Sequence, residues 1–184
     1  MVHNALAGIA VGYALGMNDD EIKAGIEALK PLAGRNHLIE TDTYTIIDDC
    51  YNANPVSMKA SVDVLAKVEV QSDSSDCVST CKAARTVAIL GDMGELGATE
   101  KEMHYDVGVH TANAGINVLI CIGTLSEETA RGAADTSNTI EIHHFADKDA
   151  FFAEMNNLLK KGDTILVKAS HYMGFEEIVA KLEK

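Results

Sequence analysis

The stretch IIDDCYNANPVSMKAS, Ile46 to Ser61, runs from an apolar strand through a polar corner into a helix. Asn54 suits a helix N-cap and Pro55 the first turn after it. Capping accounts for those two residues. It requires neither Tyr51 nor Asn52, and it leaves unexplained an acidic pair at a strand end. Neighbours on a strand face opposite sides, so Asp48 and Asp49 are expected to meet different partners. One is expected to be structural. The other is free to take a hydroxyl, an ammonium group or a metal-bound water.

Working outward, HLIETDTYTIIDD reads as a hairpin turning at Thr41 to Thr43. The runs TVAIL, VLICIG, IEIHHF and TILVKA read as further strands. Between them lie helical patterns. Met58, Val62 and Leu65 mark one, residues 99–114 a second, and 126–134 a third. Phe151, Phe152, Met155, Leu158 and Leu159 mark a fourth, and Phe175, Ile178, Val179 and Leu182 the last. This alternation predicts an α/β protein, with a Rossmann-like, mostly parallel sheet and helices on both faces. EVQSDSSDCVSTCKAAR, between a helix and a strand, reads as a long mobile surface loop.

Ahead of the hairpin, Asn4 to Leu15 predicts a small-residue helix buried nearly all round. A second helix is capped by Asn18 or Asp19, carries Ile22, Ile26 and Leu29 on one face, and ends at Pro31 and Gly34. Opening on a buried-type helix is unusual for a domain, so a piece of a longer chain is expected.

The 184 residues carry a formal charge of −13, which argues against a nucleic-acid surface. No apolar run approaches the ~20 residues of a membrane helix, and the start lacks the basic front of a signal peptide. A cytoplasmic protein without membrane insertion is expected. Cys50 and Cys121 sit in or beside apolar strands and read as core residues. Cys77 and Cys81 lack the companions of a zinc site, and a disulfide is not expected.

Ligands of open parallel sheets bind beyond the carboxyl ends of the strands. Following the strands here come Asp48 to Pro55, then GDMGELG (Gly91 to Gly97), then Gly123 and Thr124, and finally Lys168, Ala169, Ser170 and His171. Carboxylates, amides, a lysine and a serine thus converge on one rim. GDMGELG is neither the dinucleotide fingerprint nor a P-loop, and no P-loop occurs anywhere in the chain. His143 and His144 are strand neighbours that point apart, so a shared metal is not expected.

DDCYNANPVSMKAS, ILGDMGELG and LVKASHYMGFEEIV together resemble the C-terminal part of the Mur ligases. NALAGIAVGYALGM is similar to the end of that family's central ATPase domain, and Gly34-Arg35 to the junction before its last domain. The resemblance therefore implies residues 1–33 from the central domain and 34–184 as the C-terminal domain, with the N-terminal domain and the rest of the central one absent. It implies an ATP-dependent ligase of cell-wall precursor synthesis that joins D-alanyl-D-alanine to UDP-MurNAc-tripeptide through an acyl phosphate. ATP and Mg2+ would be held mainly by the absent central domain, and this chain alone would be inactive.

By position, the resemblance implies nucleotide contacts for Asn4, Arg35 and Asp49, the last two with catalytic roles. It implies dipeptide contacts for Tyr51, Asn52, Asn54 and Ser170, and less directly for Lys168 and Asp92. Where the family carries arginine after the K-x-S serine, this chain has His171. Two other classes fit parts of the pattern. A phosphoacceptor receiver domain also uses an acidic pair, an aspartate, a hydroxyl and a lysine at strand ends, but the gap from Thr124 to Lys168 is too long for it. A plain ligand-binding module is the other.

Overall fold

Ile46 and Ile47 are neighbours in sequence and belong to different hydrophobic layers. The same alternation runs along every central strand, because successive side chains of a strand point to opposite faces. The structure is a computed structural model describing residues 2–28, 34–67 and 85–184. It comprises two compact units, Met1–Leu32 and Ala33–Lys184.

The larger unit is a six-stranded sheet ordered β1-β2-β6-β3-β4-β5. The strands are β1 (His37–Glu40), β2 (Thr45–Asp48), β3 (Thr86–Gly91), β4 (Val118–Ile122), β5 (Glu141–Phe145) and β6 (Thr164–Lys168). Only β1 and β2 pair antiparallel, with His37 opposite Asp48 and Glu40 opposite Thr45. The other four pairings are parallel. The expected Rossmann-like, mostly parallel α/β sheet is the architecture observed.

Helices α3 (Pro55–Ala66), α4 (Glu100–Asn113) and α5 (Ser126–Thr136) cover one face. There Met58, Val62, Leu65, Val107 and Ala133 pack on Ile47, Ala88, Leu90, Leu119 and Leu166. Helices α6 (Lys148–Leu158) and α7 (Glu176–Leu182) cover the other. Phe151, Ile178, Val179 and Leu182 pack there on Ile46, Val87, Ile89, Ile120, Ile165 and Val167. Each fully buried aliphatic side chain in these layers contributes about 1.5–3 kcal/mol. Packing of α4 on α5 relies on glycine: a Cβ on Gly108 would collide with the Thr129 carbonyl, and one on Gly132 with the Tyr105 carbonyl.

The smaller unit holds α1 (Val2–Ala14) and α2 (Asp19–Glu27). Asn18, not Asp19, caps α2, in a reciprocal box with Glu21. Ile22 is buried and packs closely on Gly12. The expectation that the first helix is buried all round is overturned: Leu6, Val11 and Leu15 are 56%, 58% and 76% exposed. One neighbouring helix within the unit covers only one side of it. Leu29, Pro31, the body of the Ser-rich stretch, Cys77 and Cys81 lie outside the described residues.

Candidate functional site

Because β2, β6, β3 and β4 run parallel, their carboxyl ends share one edge. The corner after β2 is built on its two carboxylates, which do meet different partners. Asp48 accepts from the Gly34 amide at 2.7 Å and from the Cys50 thiol at 2.9 Å. Asp49 accepts from the Asn36 amide at 3.1 Å, the Ser61 hydroxyl at 2.7 Å and the Lys168 ammonium at 2.6 Å. Lys168, 2% exposed at the end of β6, also donates to the Asn52 carbonyl at 2.8 Å. The hydroxyl and ammonium expected at the acidic pair thus come from the protein itself.

A second set of bonds joins the ends of β3, β4 and β6. The Asp92 carboxylate accepts from the Thr124 amide at 3.1 Å and the Ser126 amide at 2.7 Å, holding the first turn of α5. The Asp92 carbonyl accepts from the Ser170 amide, and the Ser170 hydroxyl accepts from the Gly94 amide at 2.8 Å. Gly123 must be glycine here. Its φ is +125°, and a Cβ would meet an Asp92 carboxylate oxygen at 2.5 Å.

Above these buried groups lies an exposed cluster. The Arg35 guanidinium sits 4.4 Å from the Tyr51 ring centroid, and the His171 ring lies 5.4 Å from the same ring. Tyr51 is 47% exposed, and Arg35, Asn52, Asn54 and His171 are exposed as well. Asn54 caps α3 through the Ser57 amide at 2.9 Å, in a box with the Ser57 hydroxyl. Asn52 accepts from the Ala53 amide at 2.8 Å. Both asparagines accept through Oδ1, which leaves their Nδ2 groups pointing away from these bonds.

Tyr51 and His171 therefore come together, with Asn52 and Asn54 on the loop of Tyr51 and Ser170 preceding His171 in the chain. Asp49, Lys168 and Asp92, expected to contact ligand, are buried with their polar side-chain atoms engaged inside the protein, and Ser170 is likewise buried with its hydroxyl engaged by the Gly94 amide. A strand-end position alone does not distinguish a group that faces solvent from one that anchors a neighbouring strand. Asn4 lies in α1 of the smaller unit, and its side chain lies outside the described residues. Sequence reasoning missed Ser61 and His104. Ser61 sits one turn after Ser57 on α3, a spacing that marks a shared helix face; His104 is buried in α4.

Burial pushes the Cys50 thiol pKa well up, with the hydrogen bond to Asp48 adding to it. The Tyr172 hydroxyl is raised by partial burial, then by the charges of Asp92 and Glu100. In chemical terms, the rim offers a guanidinium for anionic oxygens, amide and phenol donors for a carboxylate, and an imidazole.

Residues 34–171 match the family model described as "Mur ligase, glutamate ligase domain". The chain belongs to the Mur ligase family. It is 35% identical to the UDP-N-acetylmuramoyl-tripeptide–D-alanyl-D-alanine ligase of Escherichia coli, over 100% of this chain and 37% of that protein. To the ligase of the same name from Bacillus subtilis it is 33% identical, over 98% and 37%. Among solved structures, MurF from Acinetobacter baumannii superposes with a TM-score of 0.79 at 26% identity, covering 98% of this chain and 37% of that one. The chain thus spans well under half the length of these relatives.

Proposed function

We propose that this chain serves an ATP-dependent ligase that joins D-alanyl-D-alanine to UDP-MurNAc-tripeptide in cytoplasmic cell-wall precursor synthesis, and that it forms the acceptor side of the site. Residues 34–184 are the C-terminal domain in this reading, and residues 1–33 close the central ATP-binding domain. The observation that carries the proposal is the meeting of Tyr51 with His171, the residue after Ser170, on one strand-end rim, in a chain matched along its length by ligases of that name.

ATP phosphorylates the tripeptide carboxylate and leaves as ADP, and the dipeptide amine attacks the acyl carbon, expelling phosphate and losing a proton. Arg35 is exposed and suited to hold phosphate oxygens in its planar fork. Tyr51, Asn52, Asn54 and Ser170 hold the dipeptide, and its carboxylate lies toward His171. Asp49, Lys168 and Asp92 act through the loops they fix. Fixing the amine near its target makes the attack effectively unimolecular, worth about 7 kcal/mol or more when alignment is good. Among the described residues no group of three or more His, Cys, Asp or Glu side chains could hold Mg2+.

The test is phosphate release with ATP, UDP-MurNAc-tripeptide and D-alanyl-D-alanine. Dipeptide-dependent turnover is expected from the full-length gene product, and none from residues 1–184 alone. A full-length product that hydrolyses ATP but ignores the dipeptide would sink the reading.

A further inference from the structure

His104 is fully buried in α4. Its Nδ1 lies 2.7 Å from the Glu100 carbonyl, and its Nε2 lies 2.9 Å from the Met93 amide nitrogen. A carbonyl can only accept and an amide N–H can only donate. Those partners leave one arrangement, with the proton on Nδ1 and the lone pair on Nε2. The imidazole thereby ties α4 to the backbone just after β3.

Met93 lies between two residues that meet Ser170, just past the end of β6. Asp92 accepts from the Ser170 amide through its carbonyl, and Gly94 donates to the Ser170 hydroxyl. Two residues beyond Met93, Glu95 has φ +61°, in the left-handed region that strains a non-glycine residue. Such a turn persists only where its surroundings over-determine it. On its β3 side that determination comes from His104, Ser170 and the amides held by Asp92. The Gly94 position also lies against the Tyr172 ring, so a shift of this loop would disturb both neighbours of His171.

We propose that His104 is a positioning residue for the acceptor site: through Met93 it fixes the Gly94 amide, and through Gly94 the orientation of the Ser170 hydroxyl and the turn that carries His171. The acceptor role of Ser170 rests on the function proposed above. The anchoring itself does not.

Two variants test it. His104→Leu keeps the bulk and removes both ring nitrogens, while His104→Gln offers an amide oxygen to the Met93 N–H. In residues 1–184, amide hydrogen exchange is compared at Met93 and Gly94, normalised to Ala88 and Ile89 in β3 so that global stability cancels. His104→Leu is expected to lose about tenfold protection at Met93 and Gly94, the size of one lost hydrogen bond, and His104→Gln to recover most of it. The wild-type ring should show the Nδ1-protonated tautomer in its nitrogen shifts. In the full-length product, the dipeptide KM should rise about tenfold in His104→Leu with the ATP KM unchanged. Unaltered protection at Met93 and Gly94, or lost protection with an unaltered dipeptide KM, overturns the proposal. If the wild type shows no dipeptide-dependent turnover, the ligase reading falls, and the exchange comparison alone decides whether His104 holds the loop.

Discussion

Lys168 Nζ lies 2.6 Å from Asp49 Oδ2, joining the end of β6 to the end of β2 across 119 residues of sequence. Both groups are buried, and the ammonium is further satisfied by the Asn52 carbonyl. A buried pair of this kind gives little net stability over an apolar replacement, but removing one partner strands the other.

Lys168→Met is accordingly expected to destabilise the fold by about 3–5 kcal/mol in urea titration. The double variant Asp49→Asn with Lys168→Met should cost less than the two single changes summed. A loss under about 1 kcal/mol with a changed dipeptide affinity would instead mark Lys168 as a direct ligand contact.

Arg35 is different, because its described contact is the exposed Tyr51 ring. Arg35→Ala should cost less than about 1 kcal/mol of stability. Under the ligase function proposed above, turnover of the full-length product should fall about tenfold or more, as for loss of a charged hydrogen bond. A lowered melting temperature with an intact rate would instead mark a structural residue.

Gly123→Ala adds a methyl group where the Asp92 carboxylate lies, at a positive φ. The strain and the collision together predict about 2 kcal/mol or more of destabilisation. The Asp92 bonds to Thr124 and Ser126 should weaken with it, visible as faster exchange of the Ser126 amide. Unchanged stability would show that the corner has room that the geometry denies.

Cys50 and Cys121 are buried thiols raised above the ordinary cysteine range, chiefly by burial; the Asp48 hydrogen bond adds at Cys50 and the Asp92 charge at Cys121. Below about pH 8.5 both folded and unfolded chains keep these protons, so the two thiols give no pH dependence. Above it the unfolded chain releases protons that the folded chain retains, and stability falls as pH rises. Replacing both residues with Ala should flatten that alkaline slope. Peptide mapping after iodoacetamide at pH 8 should find both unmodified in the native protein; rapid labelling of Cys121 would contradict its burial.

Much of this molecule was legible from local pattern. The buried strands announced themselves as short apolar runs, and the Asn54-Pro55 start of α3 follows from capping chemistry alone. The shared rim followed from parallel topology, since every crossover returns the chain to the same end of the sheet. What local pattern could not supply was which rim groups face inward. Asp49 and Lys168 neutralise each other only because β2 and β6 are adjacent, and strand order is set by the whole fold. His104 was illegible for the same reason: its partner is a backbone amide eleven residues away, a group that no residue type reveals. The exposure of Leu6, Val11 and Leu15 was missed because apolar composition does not say how many neighbours a helix has.

The last strand of the sheet stands near its middle, with β2 on one side and β3 on the other. During synthesis, a chain emerging from the ribosome therefore has no route from the hairpin to the β3-β4-β5 half until Thr164–Lys168 has cleared the exit tunnel. The Lys168–Asp49 anchor and the loop after β6 then form in the same event, and nascent chains stalled before residue 164 should stay protease-sensitive while those released afterwards become resistant.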